Sequence, residues 1–255
     1  MKTKILLSLG LACFASNVIA DTCRWDTGRT SSPVYQEYEV SADRSHLNAY
    51  NVNQKIPNAI TATFHHVIPM GEWGSILKTV LNSQELSQRN KNNIIDKFIK
   101  SLEELQLDNS ANENYTVNID HTINFLRELK TGNLTIVDEG AGDCNNVALN
   151  YFGVNGFMGP NNTLRANDPG DIFDKGSIYA DEAPYGKERY QKLKDLHDSY
   201  NSLDRSDKQL ASKLSALISL ENAAYPKIMT NDSNYFDKNY WREDSVEIGR
   251  YTNKR

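Results

Sequence analysis

Residues 89–107 read RNKNNIIDKFIKSLEELQL. Ile94, Ile95, Phe98, Ile99, Leu102 and Leu105 recur at helical spacing, while lysines and glutamates fill the intervening positions. That period predicts an amphipathic helix with one face turned to a core. The same pattern returns on both sides. Residues 71–81 predict a short helix, and residues 119–129 predict another, with Ile123, Leu126 and Leu129 inward and Gly132 as a stop. Over 182–225, Tyr190, Leu193, Leu196 and Tyr200 form one stripe, and Leu210, Leu214, Leu217 and Ile218 form a second. The polar stretch 204–207 between them predicts a helical hairpin.

Strand signals are fewer. Residues 34–40 alternate, residues 59–68 are rich in β-branched and aromatic types up to Pro69, and residues 133–137 make a brief third run. Residues 138–174 are dense in Gly, Asn and Asp and predict a long loop of the kind that often carries function. The fold class expected is α+β, helix-dominant, with a small sheet and a long Gly/Asn/Asp-rich loop.

Residues 1–20 have the layout of a cleaved export signal: Lys2 and Lys4, an apolar run from Ile5 to Phe14, then Val18-Ile19-Ala20. The run is shorter than the roughly 20 residues that span a bilayer, and no later stretch predicts a membrane span. The expectation is a secreted or periplasmic single domain over 21–255, with 182–225 as a helical subregion. Loss of the signal moves the formal charge from −5 to about −7. This acidic balance gives no broad attraction for nucleic acid or anionic lipid. Cys13 leaves with the signal, so Cys23 and Cys144 remain and are expected to pair in an oxidising compartment.

Two histidines, His65 and His66, stand side by side at the end of the second strand, just before Pro69. Neighbours on a strand point to opposite faces, so one imidazole can take a metal while the other acts on a substrate. The segment His65-His66-Val67-Ile68-Pro69 resembles the opening of His-Me finger (HNH-type) nuclease toxin domains. The resemblance implies a ββα-metal site and metal-dependent phosphodiester hydrolysis, with nucleic acid as substrate. His65 then corresponds to a metal ligand and His66 to the general base. Asn155, in residues 151–160, corresponds to the Asn that orients the base or its loop. The family's final histidine has no counterpart at the expected distance, and Asp168 and Asp171 are the nearest oxygen donors for Mg²⁺ or Zn²⁺. The pair-to-Asn separation of about ninety residues is also long for a compact ββα unit. Arg165 is placed to hold a phosphate oxygen, or to pair with Asp168 or Asp171. Arg89, Lys91, Lys97 and Lys100 avoid the apolar stripe of their helix and form either a phosphate-facing patch or a solvated face.

Two other readings stand beside this one. Cys144, in Asp143-Cys144-Asn145-Asn146, suits a nucleophile if a helix begins there, with His197 downstream, or His65 or His66 out of the usual order, as its partner, although His197 also falls in a core stripe. The chain also fits a secreted binding or toxin module without catalysis, its acidic 165–174 loop holding Ca²⁺.

Overall fold

The computed structural model describes residues 21–26, 62–108, 113–160, 172–174, 185–224 and 227–228. The export signal, the strand expected over 34–40 and the residues Arg165, Asp168 and Asp171 lie outside them.

The predicted periodicities become helices at nearly their predicted places. In chain order the elements are β1 (Asp21–Arg24), β2 (Ala62–His66), α1 (Met70–Asn82), α2 (Gln88–Asp108), α3 (Glu113–Thr131), β3 (Leu134–Val137), α4 (Val147–Asn150), a 3₁₀ turn (Gly153–Asn155), β4 (Gly156–Pro160), α5 (Tyr185–Tyr200), α6 (Asp207–Leu217) and β5 (Lys227–Ile228). The fold is α+β and dominated by helix. On α2, Ile94, Ile95, Phe98, Leu102 and Leu105 are buried, as their spacing requires, and α2 packs against α3. The expected hairpin forms as α5 and α6, which pack on each other, and Leu193, Leu196, Leu210 and Leu214 are buried. One hydrophobic cluster of buried residues joins the helices, β1, β3, β4 and the 3₁₀ turn.

The strands make two small sheets. β1 lies parallel to β3, with Asp21 opposite Leu134 and Arg24 opposite Val137. β4 is the middle strand of the second sheet, antiparallel to β2 and parallel to β5. This corrects the long-loop expectation, because residues 147–160 hold a helical turn, a 3₁₀ turn and a strand. Gly156-Phe157-Met158-Gly159-Pro160 lacks the alternation of a strand. Tertiary pairing with the histidine strand makes it one, and that pairing is invisible in local sequence.

The N-terminal segment is fastened by a covalent bond. Cys23 and Cys144 form a disulfide across a sequence separation of 121, with Cα atoms 4.8 Å apart. Around it, the Arg24 N–H donates to Gly142 O at 2.7 Å and the Cys144 N–H donates to Arg24 O at 2.9 Å. Asn145 takes a φ of 58°, a left-handed conformation that Asn tolerates better than most residues. Trp25 then packs edge-on against Phe125 and directly over Gly74, where a Cβ would lie 2.8 Å from the indole nitrogen. A glycine at 74 is therefore what lets α1 approach the stapled segment.

The bridge closes a loop of about 120 residues, and in the chain-entropy view this stabilises the fold by about 4–5 kcal/mol. The double variant Cys23→Ser with Cys144→Ser is expected to lose about that much in urea unfolding. A loss below about 1 kcal/mol would show that hydrogen bonds alone hold the N-terminal segment.

Candidate functional site

The histidine pair ends β2 opposite the start of β4, with His65 across from Phe157 and His66 across from Gly156. The two rings find different surroundings, as alternation on a strand requires. His65 is buried, and its imidazole stacks on Phe157 with centroids 5.2 Å apart. His66 is half-buried and tilts over Tyr151, with centroids 5.4 Å apart. His66 Nε2 lies 3.1 Å from the backbone carbonyl of Asn150. A carbonyl only accepts, so that bond places the proton on Nε2. The basic nitrogen of the neutral ring is then Nδ1.

Asn155 lies beside the exit of the histidine strand, and its side chain acts on the backbone. Its side chain is fully buried; Oδ1 accepts from the Ile68 N–H at 2.8 Å, and Nδ2 donates to the Ile68 carbonyl at 2.9 Å. Its own carbonyl accepts from the Val67 N–H at 2.8 Å. A carboxamide carries a donor and an acceptor side by side, so it satisfies both backbone groups of one residue, as a neighbouring strand would. Asn155 thus fixes the chain as it leaves His66 and turns into α1 at Pro69.

Asn146 repeats the device on the stapled segment. Its Oδ1 accepts from the Asp26 N–H, and its Nδ2 donates to the Asp26 carbonyl, both at 2.9 Å. Asn150 Nδ2 donates to the same carbonyl at 2.7 Å. The Asn150 backbone that orients His66 is therefore tied to the segment held by the disulfide. Trp73 of α1 reinforces it, donating from Nε1 to the Leu149 carbonyl at 2.8 Å.

The end of the acidic stretch also reaches the site. The Asp174 N–H donates to the Val67 carbonyl at 2.8 Å, and the Asp174 side chain is buried. Phe173 anchors this arrival by packing on Tyr190 and on His197. His197 Nδ1 lies 2.6 Å from Glu72 Oε1, and Asn201 Nδ2 donates to the same oxygen at 3.2 Å. His197 thus ties the end of α5 to the first turn of α1, the structural role its place in a core stripe implies.

Sequence reasoning missed Asn146, Asn150, Asp174 and Arg189. The only signal for the asparagines was their i, i+4 spacing around the apolar Val147-Ala148-Leu149. No group of three His, Cys, Asp or Glu side chains that could hold a metal occurs among the described residues. Of the expected ligands, only His65 is among them. The Cys144 nucleophile reading is corrected: its sulfur is bonded to Cys23, and α4 begins three residues later and spans a single turn. The basic face of α2 is corrected in part. Lys97 Nζ donates to the Ser215 carbonyl, Ser215 Oγ and Ser219 Oγ, fastening α2 to α6, and Lys100 faces Glu104. No helix among the described residues is long and apolar enough to cross a membrane.

Two measurements probe this construction. Asn155→Ala leaves the buried N–H and carbonyl of Ile68 without their partner, at about 1–3 kcal/mol each. Urea unfolding should show a loss of roughly 2–5 kcal/mol, and Asn155→Asp should not rescue it, because a carboxylate cannot donate to the Ile68 carbonyl. A loss below about 0.5 kcal/mol would mean the bracket is dispensable. The second concerns Tyr190, whose phenol is raised above its ordinary value of 10.0 by burial, and further by the charges of Asp174 and Asp198. The folded chain holds this proton longer than the unfolded chain does. The linked stability is complete below about pH 10 and is lost as pH rises through the folded value. Tyr190→Phe should make the alkaline fall in stability shallower, and an unchanged fall would refute the assignment.

Comparisons with protein-family models, with curated proteins and with solved structures found no match, so the site is read from its own geometry.

Proposed function

We propose that this chain is a secreted phosphodiester hydrolase of nuclease type, suited to a bacterial toxin or effector, with His66 as its general base. The observation that carries the reading is the half-buried His66 imidazole, set by the Asn150 carbonyl at a strand end that Asn155 brackets and the 172–174 segment meets. A base needs a fixed ring with its basic nitrogen aimed at the reaction. The Asn150 bond orients the ring and places its proton on Nε2, which makes Nδ1 the basic nitrogen of the neutral ring. In the proposed step, Nδ1 takes a proton from water while the water oxygen bonds to phosphorus and the bond to the leaving oxygen breaks.

The resemblance of the His65-His66-Val67-Ile68-Pro69 segment to His-Me finger nucleases supports the same reading. The order of β2, β4 and α5 supports it too: two antiparallel strands, then, among the described residues, a helix, with residues 67–155 between the strands. The strand pairing and the Asn155–Ile68 bond bring the pair and Asn155 together although most of the described chain separates them in sequence. An imidazole with carboxylates is a donor set that suits Mg²⁺ or Zn²⁺. In this reading His65, Asp168 and Asp171 hold the cation, and Arg165 holds a phosphate oxygen. A bound cation would supply positive charge to the phosphate and the leaving oxygen.

The mature protein, incubated with plasmid DNA and with RNA in the presence of Mg²⁺, Mn²⁺ or Zn²⁺, should cleave at least one polymer and should stop on addition of EDTA. His66→Ala should lower the rate by about 10²–10⁴-fold. A wild-type protein that cleaves neither polymer with any of these ions, or a His66→Ala protein of full activity, contradicts the proposal. The first outcome would leave the non-catalytic secreted module as the reading.

A further inference from the structure

We infer that Arg189 is a positioning residue for the histidine site. Arg189 lies in the second turn of α5 and is 2 % exposed, among the largest fully buried side chains of the molecule. Burying a guanidinium is costly unless its charge is used by partners held in place. Its Nη1 donates to the Val154 carbonyl at 3.0 Å and to the Gly156 carbonyl at 3.2 Å. These carbonyls belong to the residues on either side of Asn155. Asn155 brackets Ile68, and Gly156 is the cross-strand partner of His66. One buried cation therefore sets the backbone on both flanks of the residue that fixes the exit of the histidine strand.

The geometry separates this role from a direct one. A phosphate-binding arginine must reach substrate, whereas Arg189 is enclosed and its Nη1 is committed to two main-chain oxygens. A charge-assisted bond to a carbonyl is stronger than a neutral one, so the turn is held more firmly than a neutral side chain would hold it. Lysine offers a point charge and no planar fork, so Arg189→Lys is expected to keep the fold while loosening the register of Asn155.

The inference rests on the proposed hydrolase site, and the test separates the two. The mature protein and its Arg189→Lys and Arg189→Met variants are labelled at histidine, and their imidazole signals are compared by NMR at one fixed pH. In Arg189→Lys, the His65 and His66 signals should shift, while the His121 signals keep their wild-type positions. Unchanged His65 and His66 signals in a folded variant overturn the inference. If the protein cleaves nucleic acid, Arg189→Lys should lower kcat by roughly 10- to 100-fold with KM nearly constant, as expected for a misplaced base. A raised KM with constant kcat would instead make Arg189 a substrate-binding residue and overturn it. A wild-type protein that does not cleave, with variants that still move His65 and His66, keeps the inference and removes the hydrolase. Should both variants fail to fold, the wild-type protein decides. Guanidinium protons of Arg189 that rotate slowly and couple to the Val154 and Gly156 carbonyl carbons support the inference, and free rotation contradicts it.

Discussion

The buried carboxamide of Asn155 is the contact on which the rest of the site depends. A chain that ends a strand and turns into a helix exposes an N–H and a carbonyl at the junction, and burial of that junction makes both obligatory partners. Val67 and Ile68 are fully buried. Asn155 meets Ile68 on both sides and Val67 with its own carbonyl, so β2, α1 and the turn before β4 become one unit. The direction in which His66 leaves the sheet follows from that unit. Without it the strand end would be free to fray, and a ring on a fraying strand cannot be an oriented base.

The second constraint is covalent and comes from the other side. The disulfide fixes the N-terminal segment along β3 and residues 142–144, and Asn146 and Asn150 then grip Asp26. Through the Asn150 carbonyl, this scaffold sets the proton position of His66. A polar network of this kind is worth more for specificity than for net stability, because each member is held only while the others stay in place. It also links the orientation of the His66 ring to the disulfide.

Sequence carried the helical half of this account well. The stripe on α2 and the paired stripes of α5 and α6 are local patterns, and burial follows them residue by residue. The disulfide was legible by elimination, since removing Cys13 leaves one pair. The strand β4 was not legible, because its glycine-rich residues become extended only against β2. Asn146 and Asn150 were hidden for a related reason: they bracket Asp26 from about 120 positions away. The pair His65-His66 was conspicuous, and Asn155 was reached through a resemblance. Asp174 passed unnoticed, as one more acid in an acidic stretch, until the backbone placed it beside Val67.

The proposal stands or falls on whether His65 and the acidic loop hold a cation beside the His66 base. A crystal structure of the protein grown with Mn²⁺, with anomalous scattering recorded to locate the metal, tests it most directly. The account predicts one strong peak about 2 Å from a His65 ring nitrogen and from a carboxylate oxygen of Asp168 or Asp171, with His66 still bonded to the Asn150 carbonyl. A metal peak elsewhere with none at His65, or a His66 ring turned away from Asn150, would contradict it.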